Sequence, residues 1–153
     1  MVVEKANKND FKCIHKIFQE VHEHHINGTI NTFKDTDPFT EEEFKKALND
    51  KDTIFLVAKE KSNILGFVLA TIVAKEGRHT TAKKTLHINT IGTKKDSQNK
   101  GVGTTLINEI KIIAKENKCD SIDLSVWSFN EVAILFYKHN GFKNQKINME
   151  ISL

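Results

Sequence analysis

Proline is almost missing from this sequence, with one in 153 residues, and cysteine is scarce at two. There is no proline-rich or low-complexity stretch to serve as a linker and no internal repeat. A single domain over residues 1–153 is therefore expected, long enough to bury its own core. Cys13 and Cys119 are too few for a disulfide framework. Each falls where a helix or strand could bury it, so two reduced structural thiols are expected, and neither has neighbours that mark a nucleophile. No apolar run reaches the roughly 18–20 residues of a membrane span, and Met1-Val2-Val3-Glu4-Lys5 lacks the apolar core of a secretion signal. A cytoplasmic protein with no membrane partner is the expectation. Excess charge is also lacking: 23 basic residues face 20 acidic ones, a net charge of +3. The lysines are spread along the chain without interleaved aromatics, so no nucleic-acid partner is expected, although the balance suits a small polyanion.

The remaining composition, 39% hydrophobic and 28% charged, is that of a soluble globular chain. Its organising stretch covers residues 86–117. Leu86, Ile88 and Ile91 supply a short strand pattern, followed by the polar turn Gln98-Asn99-Lys100-Gly101-Val102-Gly103. Beyond it Val102, Leu106, Ile110 and Ile113 recur at helical spacing, with Lys111, Lys115 and Glu116 turned outward, so a helix is predicted to open at the glycines. The first turn of a helix offers unpaired backbone N–H groups and the positive end of its dipole. Gly101 and Gly103 keep side chains away from that backbone, Thr104 continues it, and Lys100 adds a mobile positive charge. The turn reads as a diphosphate cradle. It is not a Walker loop, because Lys100 precedes the first glycine, and it is not a dinucleotide fingerprint, because Leu106 stands where a third glycine belongs.

A second pattern runs from Asn130 to Phe142. Asn130 is a good helix N-cap and Gly141 a good stop. Val132, Leu135, Phe136 and His139 form one stripe, while Asn130, Ala133 and Tyr137 form another that carries a carboxamide, a small residue and a phenol.

The remaining chain reads as flanking structure. Residues 2–6 form a strand, and a helix from Asp10 to about His22 buries Phe11, Ile14, Phe18 and Val21. His22, Glu23, His24 and His25 crowd at its end; no partner completes a tetrahedral set, so solvated imidazoles complementing the dipole are expected and no metal. Residues 26–38 read as a loop. Thr40-Glu41-Glu42-Glu43 is a capping box before a short helix that buries Phe44, Ala47 and Leu48. Residues 53–58 and 64–74 form a hairpin apolar enough to be buried on both faces, with Gly66 marking a bulge or close approach. Residues 75–84 are expected to be an exposed connection. Ile122, Leu124 and Val126 alternate with Asp123, Ser125 and Trp127 in a strand that should lie parallel to that of residues 85–93, across the helix between them. Ile147, Met149 and Ile151 alternate in turn and predict one or two closing strands.

Gln98-x-x-Gly101-x-Gly103 after a strand, followed by Asn130-x-x-Ala133-x-x-Phe136-Tyr137 and Gly141-Phe142, resembles the signature of the GNAT superfamily of N-acetyltransferases. The likeness covers roughly residues 54–142 in element order. It implies an α/β (α+β) fold, a mixed sheet of about six or seven strands flanked by about four helices with splayed parallel central strands. It also implies acetyl-CoA as cosubstrate, with no metal. By resemblance, the amides of Gln98, Asn99, Lys100, Gly101, Val102, Gly103 and Thr104 hold the CoA diphosphate. Ile91 and Thr93 offer backbone groups to the pantetheine arm, Asn130 bonds that arm, Ala133 leaves it room, and Tyr137 is the general acid. The loops of residues 26–38 and 75–84 would flank the acceptor.

The implied reaction is direct transfer of acetyl to an amine. An ammonium with a pKa near 10 must lose a proton first. Counting back from Gly101, the position at which some family members place a basic glutamate holds His87. That imidazole is the candidate base, with a buried strand histidine as the competing reading; Asp123 and Ser125 are weaker candidates. The resemblance implies a primary amine of a small molecule as acceptor. Protein N-termini or lysines, or a CoA-binding module without turnover, stay open as alternatives, as does a homodimer, which is frequent in that family.

Overall fold

The computed structural model describes residues 1–29 and 32–153, with Lys75 and Thr80 by backbone alone. The loop expectation for residues 30 and 31 lies outside the described residues. In chain order come β1 (Val2–Lys5), α1 (Phe11–Gly28), α2 (Glu41–Asn49), β2 (Thr53–Glu60), β3 (Asn63–Gly77), β4 (Thr80–Thr93), α3 (Val102–Glu116), β5 (Ser121–Leu124) and α4 (Glu131–His139). The strands lie in the order of the sequence, β1 to β5. All neighbours are antiparallel except β4 and β5, which are parallel across α3. The fold is the mixed α+β arrangement expected, with four helices and a sheet of five strands among the described residues rather than six or seven.

Alternation explains the two layers. Along β2, Phe55 and Val57 face one side while Leu56 and Ala58 face the other, and β3 does the same with Phe67 against Val68 and Ala70. Both faces are therefore covered. On one side α1 and α2 supply Ile14, Ile17, Phe18 and Phe44, with Phe18 stacked between Phe39 and Phe67 at centroid distances of 4.3 and 4.5 Å. On the other, α3 supplies Val102, Leu106, Ile107 and Ile110. The capping box of α2 forms as read: Thr40 Oγ1 accepts from the Glu43 N–H, and the Glu43 carboxylate accepts from the Thr40 N–H at 2.7 Å. Gly66 is a close approach, since a Cβ there would stand 2.7 Å from the Gly92 carbonyl and 2.9 Å from Val102.

Several expectations are corrected. α1 runs on to Gly28, so of the histidine cluster only His25 falls in its last turn. Residues 75–84 are not a free connection, because β3 and β4 keep pairing up to Gly77 and Thr80. The local residues are polar, but the ladder started at the apolar end propagates through them. Cys13 is exposed on α1, and Cys119 is half-buried. β5 stops at Leu124, leaving Val126 and Trp127 partly exposed in the segment that follows. On α4 the inward residues are Ala133, Ile134, Phe136 and Tyr137, while Val132 and Leu135 face outward at 81% and 66% exposure. Residues 143–153 form no strand. Gly141, at φ +94°, turns the chain after α4, Phe142 is the last residue against the core, and none of those beyond it is even half-buried. An alternating pattern needs a neighbouring strand, and among the described residues no strand pairs with it.

Candidate active site

The turn before α3 is built to leave amides free. A 3-10 turn at Lys95–Ser97 hands the chain to Gln98, Asn99 enters the left-handed region at φ 60°, and Gly101 follows at φ +76° as the N-cap of α3. Asparagine tolerates that conformation and glycine adopts it without a Cβ penalty. The Gly101 carbonyl accepts from the Thr105 N–H at 2.9 Å and its hydroxyl at 3.0 Å. From Asn99 to Thr104, no backbone N–H finds an acceptor among the described residues. The first turn of α3 holds no acid, and the side chains of Gln98, Asn99 and Lys100 are exposed beside it. Six consecutive donors at the positive end of a fifteen-residue helix fit a diphosphate. Val102 contributes only its amide, its side chain being sealed in the core. The two glycines serve different ends. Nothing lies within 4 Å of a Cβ built on Gly101, whereas one on Gly103 would meet the Phe136 ring at 2.9 Å. Gly103 therefore joins the turn to α4.

Beside the turn the sheet opens. β4 and β5 pair only from Thr85–Ser121 to Ile88–Leu124, yet β4 continues to Thr93, so residues 89–93 have no strand across that edge. A bulge lies at the opening: Ile88 pairs with Ala70 and Thr90 with Leu69, leaving Asn89 extra. Its side-chain oxygen accepts from the Thr71 hydroxyl at 2.9 Å. The bulge also resets the alternation, so Ile91 packs with Leu86 and Ile88 on the α3 side, instead of on the face of His87 as a regular strand would put it. Ile91 and Thr93 both lie on the open stretch.

Beside the turn stands α4, its Phe136 ring against Gly103. Asn130 caps it, its side-chain oxygen accepting from the Ala133 N–H at 3.1 Å, which leaves the amide nitrogen as a donor. Ala133 is half-buried. Tyr137 packs on Phe136 and Phe142 at 5.3 and 5.7 Å, and burial pushes its phenol up to about 12. Its hydroxyl has no hydrogen-bond partner among the described residues.

His87 lies across the parallel ladder from Asp123, and its Nδ1 is 2.7 Å from Asp123 Oδ1. A carboxylate only accepts, so in the neutral ring this contact favours the tautomer with the proton on Nδ1 and the lone pair on Nε2. Asp123, read from sequence as a weaker candidate, is thus the orienting partner of the stronger one. Neighbouring polar residues extend the patch, with the Thr85 and Ser121 hydroxyls 3.1 Å apart.

The aromatic wall near this face escaped the sequence reading. Phe33 stacks on His25 at 5.3 Å and meets Trp127 edge-on at 5.4 Å, while Phe129 lies against His24 and His25. Trp127 and Phe129 follow β5 and lead directly into Asn130, so this wall ties the end of α1 to the cap of α4. The only available signal was the density of aromatics in residues 127–129, which strand alternation concealed. Burial among these rings and the neighbouring His24 and His22 lower the pKa of His25. Among the described residues no group of three or more His, Cys, Asp or Glu is placed to hold a metal ion, and no helix is long and apolar enough to cross a membrane.

Residues 12–142 match the model of the acetyltransferase (GNAT) family. Among solved structures, a tetramutant of the BH1408 protein from Bacillus halodurans is similar at TM-score 0.96 and 24% identity, each chain covered over 100% of its length. An aminoglycoside antibiotic 6'-N-acetyltransferase, AAC(6')-IG from Acinetobacter haemolyticus, is similar at TM-score 0.79 and 16% identity over 100% of this chain and 98% of that one. The aminoglycoside N-acetyltransferase AAC(6')-Iy, in complex with CoA, is similar at TM-score 0.74 and 11% identity over 99% and 98%.

Proposed function

The chain belongs to the acetyltransferase (GNAT) family, and from that premise we propose that residues 1–153 act as one domain that transfers acetyl from acetyl-CoA to a primary amine of a small molecule. One observation carries this reading. The bare edge of β4 over residues 89–93 leads straight into six amides without acceptors, a continuous track for an extended arm ending in a diphosphate. The aminoglycoside enzymes of like fold support a small amine as acceptor.

Acetyl-CoA supplies an acetyl group already activated as a thioester. The chain's residues bind, orient and move protons around it. Amides 99–104 and the Lys100 ammonium hold the diphosphate. Backbone groups at Ile91 and Thr93 receive the pantetheine arm, and the free N–H groups of that stretch face the thioester oxygen as its negative charge grows. Asn130 donates its side-chain N–H to the arm, and Ala133 leaves room for it.

His87 takes the proton of the incoming ammonium on Nε2, and Asp123 stabilises the imidazolium that results. Tyr137 holds its proton throughout the working pH range. A thiol titrates near 8.5, so full transfer from a phenol near 12 is uphill. The role this leaves for Tyr137 is donating a hydrogen bond to the departing thiolate, which takes up the second proton shed by the attacking nitrogen and leaves as the thiol.

The test is release of free CoA thiol across a panel of amines, aminoglycosides included. Saturable, amine-dependent release supports the reading. Tight CoA binding with no turnover on any amine would leave a binding module in its place.

A further inference from the structure

The aromatic wall serves neither layer of the fold. Phe33, Trp127 and Phe129 belong to neither core cluster, and Trp127 is 44% exposed. They pack instead on one another and on imidazoles. His25 lies parallel to Phe33 at 5.3 Å, Phe129 stands edge-on to His25 at 6.3 Å, and Trp127 meets Phe33 edge-on at 5.4 Å. The wall is also held in place: His22 Nε2 donates to the Lys34 carbonyl at 2.8 Å beside Phe33, and any Cβ on Gly28 would run into the Phe129 ring. Phe33 is the only ring in contact with Trp127 among the described residues, and an edge-on contact covers at most one face of an indole. An exposed apolar surface bordered by polar groups marks a binding site.

Its position ties it to the acceptor. Leu86, Ile88, Ile122 and Leu124 point to the α3 side, so His87 and Asp123 between them face the side of α1, from which His25 and Phe33 reach the wall. Trp127 follows Asp123 by four residues, within about 14 Å at full extension, and precedes Asn130 by three.

The surrounding charge narrows the choice. The strand residues around His87 on that face are Thr71, Thr85, Asn89 and Ser121, all uncharged, and the one carboxylate among them, Asp123, is engaged by His87 at 2.7 Å. None of the residues that make the wall is acidic. One ammonium is provided for, and a second would meet rings and imidazoles that offer no counter-charge. We propose that the acceptor is an arylalkyl monoamine, its nitrogen at His87 and its flat ring on the open face of Trp127. The assignment rests on the acetyl-transfer reading of the same site and names the class of amine that site takes.

Trp127 is the chain's one tryptophan, so indole fluorescence reports the wall alone. With CoA present, phenethylamine should shift that emission saturably, and butylamine and spermidine should displace it only at concentrations about tenfold higher. In turnover, Trp127→Ala should lower the ratio of kcat/KM for phenethylamine to that for butylamine by about tenfold, and Trp127→Phe should restore most of it. A saturable shift with no release of CoA from acetyl-CoA on any amine would uphold the ligand class and overturn acetyl transfer. Emission indifferent to phenethylamine, spermidine held as tightly as phenethylamine, or a ratio unchanged by Trp127→Ala would each overturn the assignment.

Discussion

Gly103 on α3 and Phe136 on α4 are in contact through a gap that a single methyl would close: a Cβ on Gly103 would stand 2.9 Å from Cζ of the ring. The turn before α3 and the helix that carries Tyr137 are thereby held in one register. Gly103→Ala should cost about 1–3 kcal/mol of stability through overpacking and weaken CoA binding by displacing α4. Phe136→Leu in the same chain should restore most of both. Thermal melts and calorimetric titration with CoA, run as a double-mutant cycle, check the coupling; additive losses would contradict it.

Gly101 answers to a different constraint. Its φ of +76° strains any other residue although open space surrounds it. Gly101→Ala should therefore cost roughly 1 kcal/mol, and Gly101→Asn distinctly less, as read by chemical denaturation.

In the proposed reaction His87, paired with Asp123 at 2.7 Å, accepts the substrate's proton. His87→Gln should lower kcat/KM by about 10²–10⁴ and remove the acid limb of its pH profile. Asp123→Asn should act in the same direction, more weakly, by releasing the tautomer. Neither should move CoA affinity. A His87→Gln enzyme with an unchanged pH profile would assign the base elsewhere.

Tyr137 is the sequence's one tyrosine, so the ultraviolet signal of tyrosinate reports it alone. Burial raises the phenol to about 12, and the neutral form is therefore the one that folding favours. The contribution to stability is complete below pH 10 and is lost as pH rises from there toward 12, by about 2–3 kcal/mol. The titration midpoint should lie near 12 in native buffer and near 10 in guanidinium. A native midpoint at 10 would place the ring in solvent.

His25 titrates in the opposite sense. Its pKa is lowered by burial first and by His24 and His22 next. The folded state prefers the neutral ring, so its contribution is complete above pH 6.5 and is lost as pH falls below that value. Melting temperature should drop between pH 6.5 and 5, and His25→Gln should flatten that slope.

Much of this was readable before any coordinates, for reasons that are local. The change of period at Gly101, the Thr40–Glu43 box and the Asn130 cap are decided by neighbours within four residues, and all three formed. Apolar runs on both faces of residues 53–74 announced a sheet covered on both sides. The readings that failed depended on distant partners. The hairpin beyond Ala74 persists because its ladder is already started, not because its residues favour it. The bulge at Asn89 redirects Ile91; the resemblance implies a bulge in that strand, but no side chain at 89 fixes its place. Alternation at residues 147–151 reads as a strand, but no strand among the described residues pairs with it. Asp123 read only as a weaker candidate base, and its role as partner emerged when the parallel register placed it across from His87.

The central claim is that the amides of residues 99–104, continuing the open edge of β4, hold acetyl-CoA. Titrating CoA into ¹⁵N-labelled protein tests it most directly. The largest shifts should fall on the amides of Asn99 to Thr104, with a second group over residues 89–93. Binding that leaves those resonances in place, or moves a different surface, would contradict the account.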